Sequence, residues 1–253
     1  EVAMADALGC DAVDGEVAGV LSDAADEVLT GQAAESEGDA GEQAAPASSE
    51  DEVASLSCEG AFVPKGSFVV VEGPSGSGKS TLFKLVLGAY DAEGFAYELA
   101  DSACAASQVP PGVFAYVPQD NFLFAGSVRE NVAFAAPDAT DDQVKRACET
   151  ACAWGFVEEL PQGLDTMIGE HGQGLSQGQL QRLAIARAVC SGAPIMVLDE
   201  VTSALDDETE AAVLANIASL PGKTVFVAAH RAKAREFATM RLHVEYGVLA
   251  EAR

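Results

Sequence analysis

The amino-acid sequence predicts an α/β domain built on a largely parallel β-sheet. Two observations point there. From Leu56 onward, short apolar runs alternate with segments of helical periodicity, and one such run passes through a glycine-rich loop straight into a helical pattern. A third observation adds a layer: between the second and third apolar runs lie some 75 residues of mostly helical character, the mark of an inserted helical part.

In chain order, Phe68 to Val71 is continuously apolar, as expected of a strand covered on both faces. The glycine-rich loop follows, and then a helix from Lys79 to about Leu87. Further strands are expected at Phe114 to Val117, Ile195 to Leu198 and Thr224 to Ala228, with helices at Asp141 to Ala153 and Gln179 to Val189. One domain is expected over residues 53–253, with a helical subdomain at roughly 120–190. Residues 1–52 carry no aromatic side chain and read as an acidic low-complexity linker, clearest over Gln32 to Glu52, with a short helix expected within Val17 to Leu29.

Composition narrows the function. The apolar fraction of 49% is ample for a packed core over 253 residues. The longest apolar runs fall far short of the roughly 18 residues that suggest a membrane span. The chain begins at Glu1 with no secretory signal pattern, which fits a segment of a longer protein. Six cysteines are scattered without paired spacing or a histidine cluster, so they read as reduced, mostly buried thiols. Cys148 and Cys152, one helical turn apart, also have metal-ligand spacing, but packing is the reading preferred. The net charge is −26; residues 1–52 hold 15 acids and no base, and the remainder holds 25 acids against 14 bases. Such a balance repels nucleic-acid phosphates and anionic headgroups, so no nucleic-acid partner is expected.

The chemistry concentrates in Gly73-Pro74-Ser75-Gly76-Ser77-Gly78-Lys79-Ser80-Thr81. Backbone N–H groups of such a loop point inward around phosphates, and glycines allow the φ values and close approach this needs. Lys79 offers a point charge to the β and γ phosphates, Ser80 a hydroxyl for Mg²⁺, and the helix its positive dipole end. About 120 residues downstream an apolar strand ends in Asp199-Glu200. An aspartate there can hold the metal, and the adjacent glutamate can polarise an attacking water as general base. Together these predict binding and hydrolysis of Mg²⁺-ATP.

The order of motifs resembles ATP-binding cassette (ABC) proteins across nearly all of residues 53–253. The resemblance implies a P-loop NTPase, RecA-like core with a small antiparallel β portion. Leu175-Ser176-Gln177-Gly178-Gln179 is similar to the family's signature motif, with Gln177 where the third residue is usually Gly. Ser176 and the Gly178 backbone at a helix N-terminus make an anion site, which in the family completes the ATP pocket of an opposing subunit. The resemblance thus implies a head-to-tail dimer around two nucleotides. Gln119 resembles the Q-loop glutamine that senses Mg²⁺ and the γ-phosphate, Ser203-Ala204-Leu205-Asp206 the D-loop that crosses the interface, and His230 the switch histidine.

Leu123 to Val132 and Leu160 to Thr166, leading to Gly169-Glu170-His171-Gly172, look like the bacterial exporter type, in which Glu170 would touch the membrane domain. The resemblance implies work at the cytoplasmic face of the cell membrane, with a transmembrane domain and a second nucleotide-binding domain as partners. A non-hydrolysing module of a heterodimer and a soluble cassette ATPase are the alternatives. The sequence departs from the family in two places. Exporters carry an aromatic adenine platform about 25 residues before the P-loop, yet no Tyr, Phe or Trp precedes Phe62, so the usual first strand and its platform are expected to be missing. Beyond His230-Arg231 the usual Leu-Ser-Thr and a later Asp are also absent.

Overall fold

The computed structural model describes residues 18–21, 57–58, 61–90, 95–99, 102–104, 108–120, 123–169, 172, 174–228, 232–245 and 248–251. The strands are β1 (Ala18–Leu21), β2 (Ser57–Cys58), β3 (Phe62–Val63), β4 (Phe68–Glu72), β5 (Phe95–Leu99), β6 (Ser102–Cys104), β7 (Phe114–Val117), β8 (Gly126–Ser127), β9 (Met167–Ile168), β10 (Ile195–Asp199), β11 (Thr224–Ala228), β12 (Met240–Glu245) and β13 (Val248–Glu251). The helices are α1 (Lys79–Val86), α2 (Val128–Val132), α3 (Asp141–Thr150), α4 (Trp154–Glu159), α5 (Gln177–Cys190) and α6 (Asp207–Ala218).

The central sheet runs β2-β13-β12-β4-β11-β10-β7. Only the β12–β13 hairpin within it is antiparallel. Its central strands β4, β11 and β10 are almost wholly apolar because both faces are covered, and the two-residue period deals their side chains alternately to two cores. Phe68, Val70, Met196, Leu198, Val225 and Val227 enter the core shared with α2, α3, α5 and α6. Val69, Val71, Ile195, Val197, Phe226 and Ala228 enter the other, with Leu82, Phe83 and Val86 of α1.

A second, antiparallel sheet of order β3-β1-β5-β6 lies on the α1 side. Its Tyr97, 2% exposed, donates its hydroxyl to the carbonyls of Leu85 and Val86 at the C-terminal end of α1. The shorter bond, at 2.6 Å, satisfies the Val86 carbonyl, which the helix end leaves open, whereas Leu85 O also accepts from Gly88 N–H.

The four predicted strands and the helices of the inserted block are present. The structure corrects the reading of the N-terminal segment. Ala18–Leu21 is a strand, not part of a helix, and it pairs antiparallel with β3 and β5 on its two sides. Gly19 and Val20 are weak helix formers, and pairing on both edges satisfies a backbone that four residues could not satisfy alone. A strand therefore does precede the phosphate loop in this domain, contrary to expectation. It lies farther back than a count of 25 residues reaches, separated from β2 by residues 22–56, which are outside the described residues. The missing aromatic remains a fact of the sequence.

Among the cysteines, Cys148 is fully buried and its thiol is pushed up to about 12 by burial. Cys152 sits past the end of α3 at φ 53°. No group of three or more metal-ligating side chains occurs among the described residues.

Candidate nucleotide site

The phosphate loop leaves β4 at Glu72 and returns as α1. A Cβ on Gly73 would lie 2.1 Å from the Val244 carbonyl of β12 and 2.7 Å from Ser77 Oγ, so only glycine fits between the loop and the neighbouring strand. Gly76 and Gly78 have φ of 77° and 108°, the left-handed region that glycine enters without cost. Gly78 is the N-cap of α1 and no side chain caps it, which leaves the first N–H groups of the helix directed at the loop. Lys79 is buried, and its Nζ donates to the carbonyls of Gly73 and Pro74, both at 2.9 Å. Ser77 Oγ is buried without a hydrogen-bond partner. A lysine turned onto its own loop, an orphaned hydroxyl and an uncapped helix N-terminus form a cradle that fits a polyphosphate.

Asp199 ends β10 at 4% exposure, 119 residues from Ser80. The Ser80 hydroxyl donates to Asp199 Oδ2 at 3.0 Å, and the Tyr116 hydroxyl donates to the same oxygen at 3.4 Å. Burial raises the Asp199 carboxyl above its usual range and the neighbouring Glu200 charge adds to this, while the bonds from Ser80 and Tyr116 and the Lys79 charge pull it back. The Tyr116 phenol is raised in turn, by burial first and then by Asp199. A hydroxyl and a partly compensated carboxylate side by side suit a hard divalent cation such as Mg²⁺. Glu200 follows at φ 53°, a costly conformation for a residue with a side chain. Its N–H donates to Ala228 O of β11 and its carbonyl accepts from Ser203 N–H, both at 3.3 Å.

Gln119 lies two residues past β7 and is exposed. The Glu170, His171 and His230 positions fall outside the described residues; β11, which leads to His230, ends at Ala228. Ser75 and Gly76 are exposed at the loop's crest and Thr81 is half-buried behind it.

The signature segment forms a second focus. Ser176 is the N-cap of α5: its Oγ accepts from Gln179 N–H at 3.3 Å, and Gln179 Oε1 accepts from Ser176 N–H at 2.9 Å, a reciprocal capping box. Gln177, the departure from the usual glycine, opens the helix as an exposed residue. A Cβ on Gly178 would come within 3.1 Å of the Ala204 carbonyl, so this glycine packs on the turn formed by Ser203 to Asp206. Asp206 itself caps α6, accepting from the N–H groups of Glu208 and Thr209 and from the Thr209 hydroxyl. Among the described residues no hydrogen bond joins residues 175–179 to the phosphate loop. The phosphate loop and the N-terminus of α5 are thus two separate foci.

Two polar residues of these foci escaped the sequence reading. Tyr116 looked like one more residue of an apolar strand, although its phenol tip marks the strand end at Asp199. Gln181, 2% exposed, looked like the polar side of an amphipathic helix but faces the Ser203–Asp206 turn.

Residues 61–203 match the ABC transporter family model. The chain is 40% identical over 212 residues to the probable multidrug resistance ABC transporter ATP-binding/permease protein YheI of Bacillus subtilis, covering 81% of this chain and 35% of that protein. It is 42% identical over 193 residues to the ATP-dependent lipid A-core flippase of Thiobacillus denitrificans, covering 75% and 33%. Among solved structures it resembles a bacterial Atm1-family ABC exporter with ATP bound, with a TM-score of 0.68 and 34% identity over 76% of this chain and 34% of the other. The chain thus spans about a third of the length of these relatives. With a P-loop core, an inserted helical block and a signature helix in the family's order, the chain belongs to the ABC transporter family, as an ATP-binding ATPase domain of the exporter type.

Proposed function

We propose that this domain is the motor of a membrane exporter, closing head-to-tail with a second such domain around two Mg²⁺-ATP and opening after hydrolysis to drive translocation. The observation that carries this reading is the meeting of Ser80 with Asp199, which joins two motifs 119 residues apart at one end of the sheet, beside a loop shaped for phosphates. Gly73 to Thr81 would bind the triphosphate, with Lys79 leaving its own carbonyls for phosphate oxygens. Ser80, Asp199 and Gln119 would hold Mg²⁺, which when bound neutralises charge on the β and γ phosphates. Glu200 acts as general base toward water, and Gln119 and His230 position the γ-phosphate end. Ser176, Gln177, Gly178, Gln179 and Asp206 serve the partner's nucleotide, in keeping with the separation of the two foci.

The domain division fits this reading. Residues 53–253 together with β1 form the motor, a helical subdomain occupies roughly 120–190, and the acidic remainder of residues 1–52 is linker. No helix among the described residues is long and apolar enough to cross a membrane. The Bacillus subtilis relative's name joins ATP-binding and permease functions, and this chain covers 35% of it. That supports a transmembrane domain of the same full-length chain as partner; the motor would then work at the cytoplasmic face of the membrane. The net charge of −26 disfavours nucleic acid as a partner.

The test is ATP turnover by the full transporter and its Glu200→Gln form. Loss of general-base catalysis lowers kcat about 10²- to 10⁴-fold while ATP binding is retained. Equal turnover by the two proteins would refute the assignment.

A further inference from the structure

Gln181 joins the two motifs of the second focus. It lies one turn into α5, is 2% exposed, and uses both ends of its amide on the Ser203–Asp206 turn. Its Nε2 donates to Ser203 Oγ at 3.2 Å, and its Oε1 accepts from the Ala204 N–H at 3.1 Å. Beside it, Gly178 lets the Ala204 carbonyl approach the helix to a distance that a Cβ would meet at 3.1 Å. The turn is tied in the other direction to Glu200, whose carbonyl accepts from Ser203 N–H at 3.3 Å. Glu200, the turn, Gln181 and the N-terminus of α5 are thus one connected string.

A buried primary amide is expensive unless both its ends are paired, and a leucine of similar size would fill the space more cheaply. Both of these hydrogen bonds of the Gln181 amide go to one turn, which also approaches α5 closely at Gly178. We infer that Gln181 is a positioning residue that clamps the Ser203–Asp206 turn to the N-terminal end of α5, so that both segments meet a partner domain's nucleotide as one rigid body linked to Glu200. The inference rests on the proposed head-to-tail closure. Without the clamp, each closure must order the turn and the helix end separately, and the entropy of doing so weakens association. ATP binding to the single domain, which uses the phosphate loop of the same chain, is left intact.

The experiment places Gln181→Leu and Gln181→Glu in a Glu200→Gln background, so that no hydrolysis intervenes. Self-association with Mg²⁺-ATP is measured by sedimentation, and ATP affinity of the dilute protein by calorimetry. Gln181→Leu should raise the protein concentration for half-association at least about tenfold, while the ATP dissociation constant stays within about twofold. Gln181→Glu should return association to within about threefold, because a carboxylate accepts from Ala204 N–H and the Ser203 hydroxyl can turn to donate to it. Association of Gln181→Leu equal to the Glu200→Gln parent overturns the inference. So does a parallel loss of ATP affinity, which would mark a folding defect, or a glutamate no better than leucine. A Glu200→Gln parent that stays monomeric with ATP overturns the head-to-tail reading itself, and the inference with it.

Discussion

Asp199 receives the Ser80 hydroxyl at 3.0 Å, and in doing so a carboxylate at 4% exposure is held at the mouth of the phosphate loop by bonds that compensate only part of its burial. The remainder is a cost of burial that a cation held there, as proposed, would offset.

That cost is measurable. The folded carboxyl titrates above the ordinary aspartate value of 3.8. The fold therefore favours the protonated form: the penalty is absent below the unfolded value and complete once the pH has risen through the folded one. Near neutral pH, with no metal present, Asp199→Asn should stabilise the chain by about 1 kcal/mol, or roughly 2–4 °C in melting temperature. The gain should vanish in acid below the ordinary aspartate range. The same variant should lose Mg²⁺-dependent ATP hydrolysis. Thermal melts with and without Mg²⁺-ATP at two pH values check both parts.

Asn131 should prove the polar keystone of the helical part. It is fully buried; its side chain accepts from Phe124 N–H and from Arg187 Nη2 and donates to the carbonyls of Phe124 and Ser127, while its main-chain carbonyl accepts from Arg187 Nε. Arg187 in turn lies over the rings of Phe124 and Phe134. Asn131→Ala removes four side-chain hydrogen bonds from a buried site, one of them from the Arg187 guanidinium, and should cost about 3 kcal/mol, lowering the melting temperature by roughly 6–10 °C. The phosphate loop and α1 pack on the opposite face of the sheet, so ATP affinity measured well below the transition should change less than about twofold.

How much of this was legible depends on whether a feature is local. The phosphate loop is a contiguous stretch whose φ values demand glycine, and the Asp199-Glu200 strand end is a contiguous apolar run, so both stand in the sequence. The strand at Ala18–Leu21 does not: Ala and Gly have no strand preference, and the segment is extended only because β3 and β5 supply partners, of which β5 follows the phosphate loop by some way. Gln181 and Asn131 were hidden for the same reason. Each is a polar residue inside a helical pattern whose partner lies on a different element, the Ser203–Asp206 turn for one and Arg187 for the other. Asp206 shows the converse. Its place before a helix is plain N-cap chemistry, and the structure uses it so, which a motif match alone obscures.

The lack of any aromatic residue before Phe62 bears on nucleotide choice, even though a strand precedes the loop after all. An aromatic platform contributes on the order of 1 kcal/mol or more by stacking on a base. Without one, affinity comes from phosphate contacts, which are the same for every nucleoside triphosphate. ATP and GTP should therefore bind this domain with dissociation constants within about threefold of each other. Calorimetric titration with each decides it, and a strong preference for ATP would show that another side chain has taken over the platform.

Two described residues other than glycine have left-handed backbones, Cys152 and Glu200, both at φ 53°. At Cys152 the cause is a helix end. The N–H of Ala153 reaches Cys148 O and that of Cys152 reaches Glu149 O, the paired bonds that close α3 through a left-handed residue. Glycine is the residue such a position favours, and the contact that matters most here, Arg182 Nη1 to Cys152 O at 2.7 Å, belongs to the backbone and would survive. Cys152→Gly should therefore stabilise by about 0.5–1 kcal/mol, a rise of roughly 1–3 °C, with turnover unchanged. Glu200→Gly should relieve the same strain by a similar amount yet abolish turnover, because there the strained residue is itself the proposed base. Comparing the two melting shifts with the two rates separates strain that merely ends a helix from strain retained for chemistry. Destabilisation by Cys152→Gly would show that the thiol's weak contact with Asn216 Nδ2, at 3.6 Å, outweighs the backbone cost.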